Sequence, residues 1–138
     1  MVAAEQRLGN FKAQGLANTA WAFATLGQAD VQLITAVARE TEWCIANFKP
    51  QDLANTAWAF ATLGQADAQL FMALAKEAEW RVGDFNPQNL INTACAFATL
   101  GHVDVQLFVL LGREAEQHLG DFNTQDLANT AWAFAMLV

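Results

Sequence analysis

The sequence predicts an all-α protein, built as a right-handed α-solenoid of 37-residue helix-turn-helix repeats. The first observation is repetition: "LANTAWAFATLG" runs from Leu16 to Gly27 and returns letter for letter from Leu53 to Gly64. It returns with changes at 90–101 and 127–138, again in steps of 37 residues. The second observation is that each unit contains two amphipathic segments of helical period. Units of this length cannot bury their apolar faces alone, but they can when stacked on neighbours.

The chain is predicted to be a single array over residues 1–138. "AEQRLGNF" at 4–11 matches "AEQHLGDF" at 115–122, so the N-terminal residues belong to a preceding unit. We therefore expect the chain to be a piece of a longer array. The units are 1–9 (the tail of a preceding repeat), 10–46, 47–83 and 84–120 (full repeats), and 121–138 (a partial repeat).

The first segment of each unit, helix A, is "NFKPQDLANTAWAFATLG" in unit 47–83. Pro50 suits the first helical position, where its missing N–H is no loss. Phe48 precedes the helix and can pack back onto it, and Gly64 is a C-terminal stop that tolerates positive φ. At about 100° per residue, one broad face is apolar and a separate narrow stripe is polar. The apolar face contains Leu53, Ala54, Ala57, Phe60 and Ala61, and the stripe contains Gln51, Asn55, Ala59 and Thr62, with Trp58 at its edge.

The second segment, helix B, is "DAQLFMALAKEAEWRV" in the same unit. Asp67 is a natural N-cap, repeated as Asp30 and Asp104, and Gly83 is expected to end the helix. One face is apolar: Leu70, Phe71, Leu74, Ala75, Ala78 and Val82.

Composition and charge exclude several classes of function. The chain is 54% hydrophobic, but no apolar run approaches the ~20 residues of a membrane span, so no membrane partner is expected. A net charge of −7 works against non-specific binding to nucleic acid. Serine is absent, and neither Cys44 nor Cys95 has a histidine at metal-ligand spacing. We therefore expect no enzyme, no cofactor, no metal and no small-molecule substrate.

The period and the text "FKPQDLANTAWAFATLG" resemble the heptatricopeptide and octotricopeptide repeats of organellar RNA-binding proteins, related to the FAST-kinase-domain and RAP proteins. The resemblance covers essentially the whole chain. It implies a curved superhelix that binds single-stranded RNA in mitochondria or plastids and serves transcript stability, processing or translation. The chain departs from the pattern at Cys95, which replaces the tryptophan, and at Ala13 and Gly15. The residues that carry it are Phe48, Pro50, Leu53, Asn55, Trp58, Ala59, Ala61, Leu63 and Gly64.

Two polar columns on helix A are candidates for RNA contacts. We name the first the helix-A stripe. Its side chains can donate and accept at base edges, or they can form a structural ladder between units. The second column varies from unit to unit, and its alternative role is ordinary first-turn helix chemistry. The stripe is Gln14, Asn18, Thr25, Gln51, Asn55, Thr62, Gln88, Asn92, Thr99, Gln125 and Asn129, and the variable column is Gly15, Asp52, Asn89 and Asp126.

Basic and aromatic columns supply further candidates. Arg7, Lys12, Lys49 and Arg81 share the edge where helix B ends and helix A begins, and could bind phosphate or merely complement helix dipoles. Trp21, Trp58 and Trp132 flank the stripe and could stack on bases, although packing between helices is the simpler role. Trp43 and Trp80 on helix B are expected to pack on basic stems.

Two functions remain open. One is an RNA-binding module of organellar gene expression. The other is a scaffold that binds protein partners within a larger assembly, which the acidic balance suits better.

Overall fold

A computed structural model describes residues 2–26, 31–65, 67–101 and 104–136, with side chains from residue 14 onward. Within these ranges the chain is all-helical and contains no strand. The helices are α1 (Val2–Leu26), α2 (Val31–Cys44), α3 (Pro50–Thr62), α4 (Ala68–Arg81), α5 (Pro87–Leu100), α6 (Val105–Gln117) and α7 (Thr124–Ala135). Short 3-10 helices at Ile45–Asn47, Val82–Asp84 and Leu119–Asp121 follow α2, α4 and α6.

The helices form two layers. The A helices α1, α3, α5 and α7 pack side by side in chain order, and α2, α4 and α6 form the second layer. Phenylalanines fill the space between the layers because their position on helix A faces helix B. Phe97 of α5 meets Phe71 of α4 edge to face, with ring centroids 5.1 Å apart, and Phe134 of α7 meets Phe108 of α6 at 5.7 Å.

The predicted ends of helix A are confirmed where they are described. Pro50 and Pro87 occupy the first turns of α3 and α5. Gly64 and Gly101 follow these helices at φ of 69° and 65°, the left-handed region that glycine adopts without strain. The Gly64 N–H donates to the carbonyl of Ala61 at 3.0 Å, which satisfies a carbonyl of the last turn.

The predicted N-caps of helix B are confirmed at Asp67 and Asp104, while Asp30 lies outside the described residues. Their carboxylates accept from the N–H groups of Leu70 at 2.9 Å and Leu107 at 3.0 Å. Helix B ends earlier than expected, since α4 stops at Arg81 and Gly83 lies within the 3-10 helix that follows.

Residues 1–9 are predicted to end one unit before the next begins at residue 10. In the structure α1 continues through this junction as one helix of 25 residues. Ala13 stands where Pro50 and Pro87 open α3 and α5, so this junction lacks their proline.

An ion pair between successive B helices was missed from the sequence. The Arg39 guanidinium donates to the Asp67 carboxylate that caps α4, and its Nη1 lies 2.7 Å from Glu42 Oε2. Burial raises the pKa of Asp67, but the hydrogen bonds from Arg39 and the Leu70 N–H outweigh burial and leave that pKa below its ordinary value. The sequence feature that could have predicted this ion pair is an arginine 28 residues before the aspartate that caps the next helix B.

The next unit has lysine at this position. Burial and the neighbouring Asp104 carboxylate raise the pKa of Glu79, although Lys76 opposes the shift. Because the pKa of Glu79 is higher in the folded state than its unfolded value of 4.5, its protonated form stabilises the fold when the pH is below 4.5. This contribution is lost as the pH rises through the folded-state pKa. Lys76 therefore offsets only part of the effect that burial and Asp104 have on Glu79.

Replacing Lys76 by arginine is expected to increase the free energy of unfolding by about 0.5 kcal/mol at pH 7. A planar guanidinium can bind both carboxylates, as Arg39 does. The gain should shrink at pH 4, where Glu79 is largely protonated. Urea unfolding followed by circular dichroism at both pH values measures this, with Lys76→Gln as the control. Equal gains at both pH values would contradict the mechanism.

Candidate nucleic-acid interface

The helix-A stripe lies on the free surface of the A layer. Gln51, Asn55 and Thr62 lie roughly 140–180° away from Phe60 around α3, at 100° per residue. Because Phe60 is buried towards the B layer, the stripe faces away from that layer. Its polar members on α1, α3, α5 and α7 are exposed or half-buried wherever their side chains are described. Ala59, which was also predicted to lie in the stripe of α3, is completely buried, because it lies on a side of α3 that packs against a neighbouring A helix. Because the A helices pack side by side, the stripe positions recur on adjacent helices of the layer.

The asparagines of the stripe do not form a ladder. Among the described residues, no hydrogen bond joins Asn18, Asn55, Asn92 or Asn129 to the asparagine of a neighbouring helix. Asn92 accepts from Gln88 Nε2 at 3.0 Å within α5, on the exposed surface. Asn18 is exposed and Asn55, Asn92 and Asn129 are half-buried, so these amides keep access to solvent without the bonds of a structural ladder.

Two of the stripe threonines bond to their own helix. Thr25 and Thr62 each donate their hydroxyl to the carbonyl four residues earlier, of Trp21 and Trp58, at 2.9 Å. Such a bond leaves the hydroxyl oxygen as an acceptor while its proton is held by the helix.

The variable column serves helix capping. The side chains of Asp52, Asn89 and Asp126 accept from the backbone N–H of Lys49, Asn86 and Asn123 at 3.1, 3.2 and 3.0 Å. Asn89 is also buried. Asp and Asn are interchangeable here because both offer the oxygen that the cap requires. This geometry favours first-turn helix chemistry over base reading, and Gly15 lies exposed within α1.

The tryptophans beside the stripe present part of each ring to solvent. Trp21 and Trp132 are nearly half exposed, and Trp58 is half-buried against the core. Cys95 occupies the fourth position and is buried, with its Sγ 3.8 Å from the Asn129 carbonyl of α7. Burial raises the pKa of this thiol, so it stays protonated and can donate. The tryptophan column therefore offers partly exposed rings on α1, α3 and α7, and Cys95 interrupts it on α5.

Of the four phosphate candidates, the structure describes the side chains of Lys49 and Arg81. Arg81 donates to the Phe48 carbonyl and lies 3.9 Å from Glu77 Oε1, so it fastens the end of α4 to the start of α3. Lys49 is exposed. The side chains of Arg7 and Lys12 lie outside the described residues. Lys49 is therefore the candidate with a described, solvent-accessible ammonium.

The outer tryptophans differ from their prediction. Trp43 and Trp80 are 85% and 86% exposed, which leaves little ring surface for packing on basic stems. Arg39 instead pairs with Glu42 and Asp67.

The chemistry of this surface is that of uncharged amides and aromatic edges. Within the described ranges, no group of three or more histidine, cysteine or carboxylate side chains could hold a metal ion. None of the helices, as far as they are described, is long and apolar enough to cross a membrane.

Comparison with known proteins gives one finding. A family model described as "RNA-editing substrate-binding complex 6 protein" matches residues 2–138. None of the curated proteins compared with the chain matches it. The matched range contains every candidate residue of the interface.

Proposed function

From the premise that this chain belongs to the family of the RNA-editing substrate-binding complex 6 proteins, we propose that it is a non-catalytic module that binds single-stranded RNA through the helix-A stripe. Two observations support this function: the family name refers to RNA editing, and the helix-A stripe presents amide side chains that can pair with bases. RNA is read best where unstacked bases expose their edges, and amides can pair with those edges as donor and acceptor at once.

The observation that carries the proposal is the open row of asparagines. Asn18, Asn55, Asn92 and Asn129 recur at the same position of each A helix and lie exposed or half-buried on the free surface. A structural ladder would have joined them to each other. An identical asparagine in each unit favours a common contact with every nucleotide rather than discrimination between bases.

The finer architecture is also a proposal. Alternating A and B helices in two layers support a right-handed α-solenoid of 37-residue pairs, because each pair adds to the last in the same way. In such an array the stripe would follow one continuous surface. Small-angle X-ray scattering that fitted a globular bundle better than an elongated superhelix would argue against it.

The quoted residues further support a relation to the heptatricopeptide and octotricopeptide repeats, and through it a place in the mitochondrion or plastid. A role in RNA processing, stability or translation is consistent with the family name. We propose no catalytic activity, because the sequence lacks serine and neither cysteine has a histidine at metal-ligand spacing.

A protein scaffold within a larger assembly is the second candidate. The net charge of −7 disfavours polyanions, and Trp43 and Trp80 offer exposed aromatic surface on the B layer, as protein interfaces often do. Under this reading the family's complex would use the chain to hold its proteins together.

We expect weak binding of labelled single-stranded RNA, with a dissociation constant on the order of micromolar or higher at physiological salt. The affinity should fall as salt rises, with a log–log slope no steeper than roughly −2, because each contacted phosphate contributes about −0.7 and basic residues are few. Fluorescence anisotropy at two salt concentrations measures both quantities.

Duplex RNA of the same sequence is the control and should bind more weakly, since its base edges are paired. Absence of binding to the single strand even at low salt would favour the scaffold.

A further inference from the structure

Two tryptophans of the B layer lie almost entirely in solvent. Trp43 of α2 is 85% exposed and Trp80 of α4 is 86% exposed, although tryptophan is highly buried on average. On α4, Phe71, Ala75 and Ala78 are buried, and Trp80 lies roughly 140–180° away from them around the helix. The indole therefore stands on the outer surface of the B layer, away from the A helices.

The exposure of Trp80 does not depend on the ends of the chain. Helix α4 lies between α2 and α6 within the B layer, so its neighbours on both sides are present. Further units packed in the same way before α1 or after α7 would extend the stack without covering its outer surface. Exposed aromatic rings are typical of protein interfaces, where tryptophan is enriched.

The acidic charge of the chain lies on the same layer. Residues 30–47, 67–84 and 104–121 contain the B helices and the 3-10 helices that follow them. These segments account for the whole net charge of −7, because the charged residues elsewhere cancel. An anionic surface disfavours RNA and favours a cationic partner. The charges that cancel are those of Glu5, Asp52, Asp126, Arg7, Lys12 and Lys49.

A shallow groove runs beside the Trp80 indole, between α4 and the 3-10 helix that follows α2. The carboxylates of Glu77 and Asp84 line it together with the ring. Of its two basic residues, Arg81 already donates to a backbone carbonyl, and Lys76 is exposed on a flexible stem. An aromatic ring beside carboxylates is the combination that recognises a guanidinium or an ammonium.

The spacing of the two indoles suits an extended segment. Trp43 and Trp80 occupy the same repeat position on adjacent packed helices. Packed helices lie about 8–10 Å apart, so the indoles recur at about this distance. In a polyproline II segment every third residue returns to the same side after about 9 Å. A segment with a basic residue at every third position can therefore place one cation on each ring.

We propose that the outer surface of the B layer binds an extended, arginine- or lysine-rich segment of a partner protein. One cation stacks on Trp43 and the next on Trp80, while Glu40 and Glu77 supply negative charge beside the rings. This surface lies on the opposite side of the molecule from the helix-A stripe. The contact is therefore independent of RNA binding, and both surfaces can be occupied at once.

The test uses a fluorescein-labelled peptide of about 12 residues, with arginine at every third position and proline elsewhere. Fluorescence anisotropy should give a dissociation constant on the order of 10–100 µM. Replacing Trp43 and Trp80 together by alanine should weaken binding about tenfold, because both cation–π contacts are lost. Both rings are exposed, so circular dichroism should be unchanged, and so should the affinity for single-stranded RNA.

A gain of affinity at α6 is the second measurement. Gln117 holds the equivalent exposed position there, so Gln117→Trp adds a third ring and should tighten peptide binding about threefold. The same peptide with glutamine in place of arginine is the control and should bind at least about tenfold more weakly.

Three results would overturn the proposal. The first is a wild type that does not bind the arginine peptide, and the second is a double tryptophan variant that binds it as tightly as the wild type. The third is a Gln117→Trp variant without a gain. If the double tryptophan variant instead lost affinity for single-stranded RNA, the outer surface would be an RNA site and the proposal would be wrong.

Discussion

Replacing Phe97 by alanine is expected to lower the free energy of unfolding by about 3–5 kcal/mol. The ring is fully buried between the layers and packs edge to face on Phe71. Truncation removes its transfer free energy and leaves a cavity that neighbours on α4 and α5 fill only partly. Because the free energy of unfolding of a native domain is only about 5–15 kcal/mol, this single change removes a large part of it. Urea unfolding followed by circular dichroism measures the loss.

Phe134→Ala is the matched control. The same residue stands in the same repeat position of α7, again between two alanines, but it is only half-buried because its helix has one A-layer neighbour. Its truncation should cost roughly half as much or less. Equal losses at Phe97 and Phe134 would contradict the burial pattern of the stack.

Replacing Asn18, Asn55 and Asn92 together by alanine is expected to weaken single-stranded RNA binding by roughly 100-fold. Each amide hydrogen bond contributes on the order of 1 kcal/mol, and 1.4 kcal/mol corresponds to a factor of ten. The melting temperature should change little, since these side chains lie exposed or half-buried without a ladder between helices. Fluorescence anisotropy and thermal unfolding are read on the same preparation.

The control is the triple variant Gln32→Ala, Gln69→Ala and Gln106→Ala. These exposed amides repeat at the same period on the B layer, facing away from the stripe. They should leave RNA affinity unchanged. A large drop in melting temperature for the asparagine variant would instead indicate a structural role. Equal loss of affinity in both variants would show that the stripe is not the binding surface.

The sequence predicted which helix face carries the stripe, and the structure leaves its polar side chains exposed or half-buried where they are described; RNA binding by the stripe stays a prediction. Helical period places Asn55 opposite Phe60, and this is a local property of one helix. The sequence left two roles open for Asp52, Asn89 and Asp126, namely contact with RNA bases and capping of the helix. In the structure each of these side chains accepts from the backbone N–H three residues earlier, and this hydrogen bond favours capping. Arg81 was considered for phosphate because its charge is evident in sequence. Its bond to the Phe48 carbonyl depends on the packing of α4 beside the start of α3.

The sequence by itself determined the helices and their ends. Pro50, Asp67 and Gly64 act through backbone geometry within a few residues, so their roles follow from local chemistry alone. Repetition also determined that the units would be alike. The tertiary structure decided which of the equivalent residues are buried. Leu53 and Leu127 have the same neighbours in the chain, yet Leu53 is buried and Leu127 is half exposed. Burial depends on whether another helix lies alongside, and identical letters carry no information about their place in the stack.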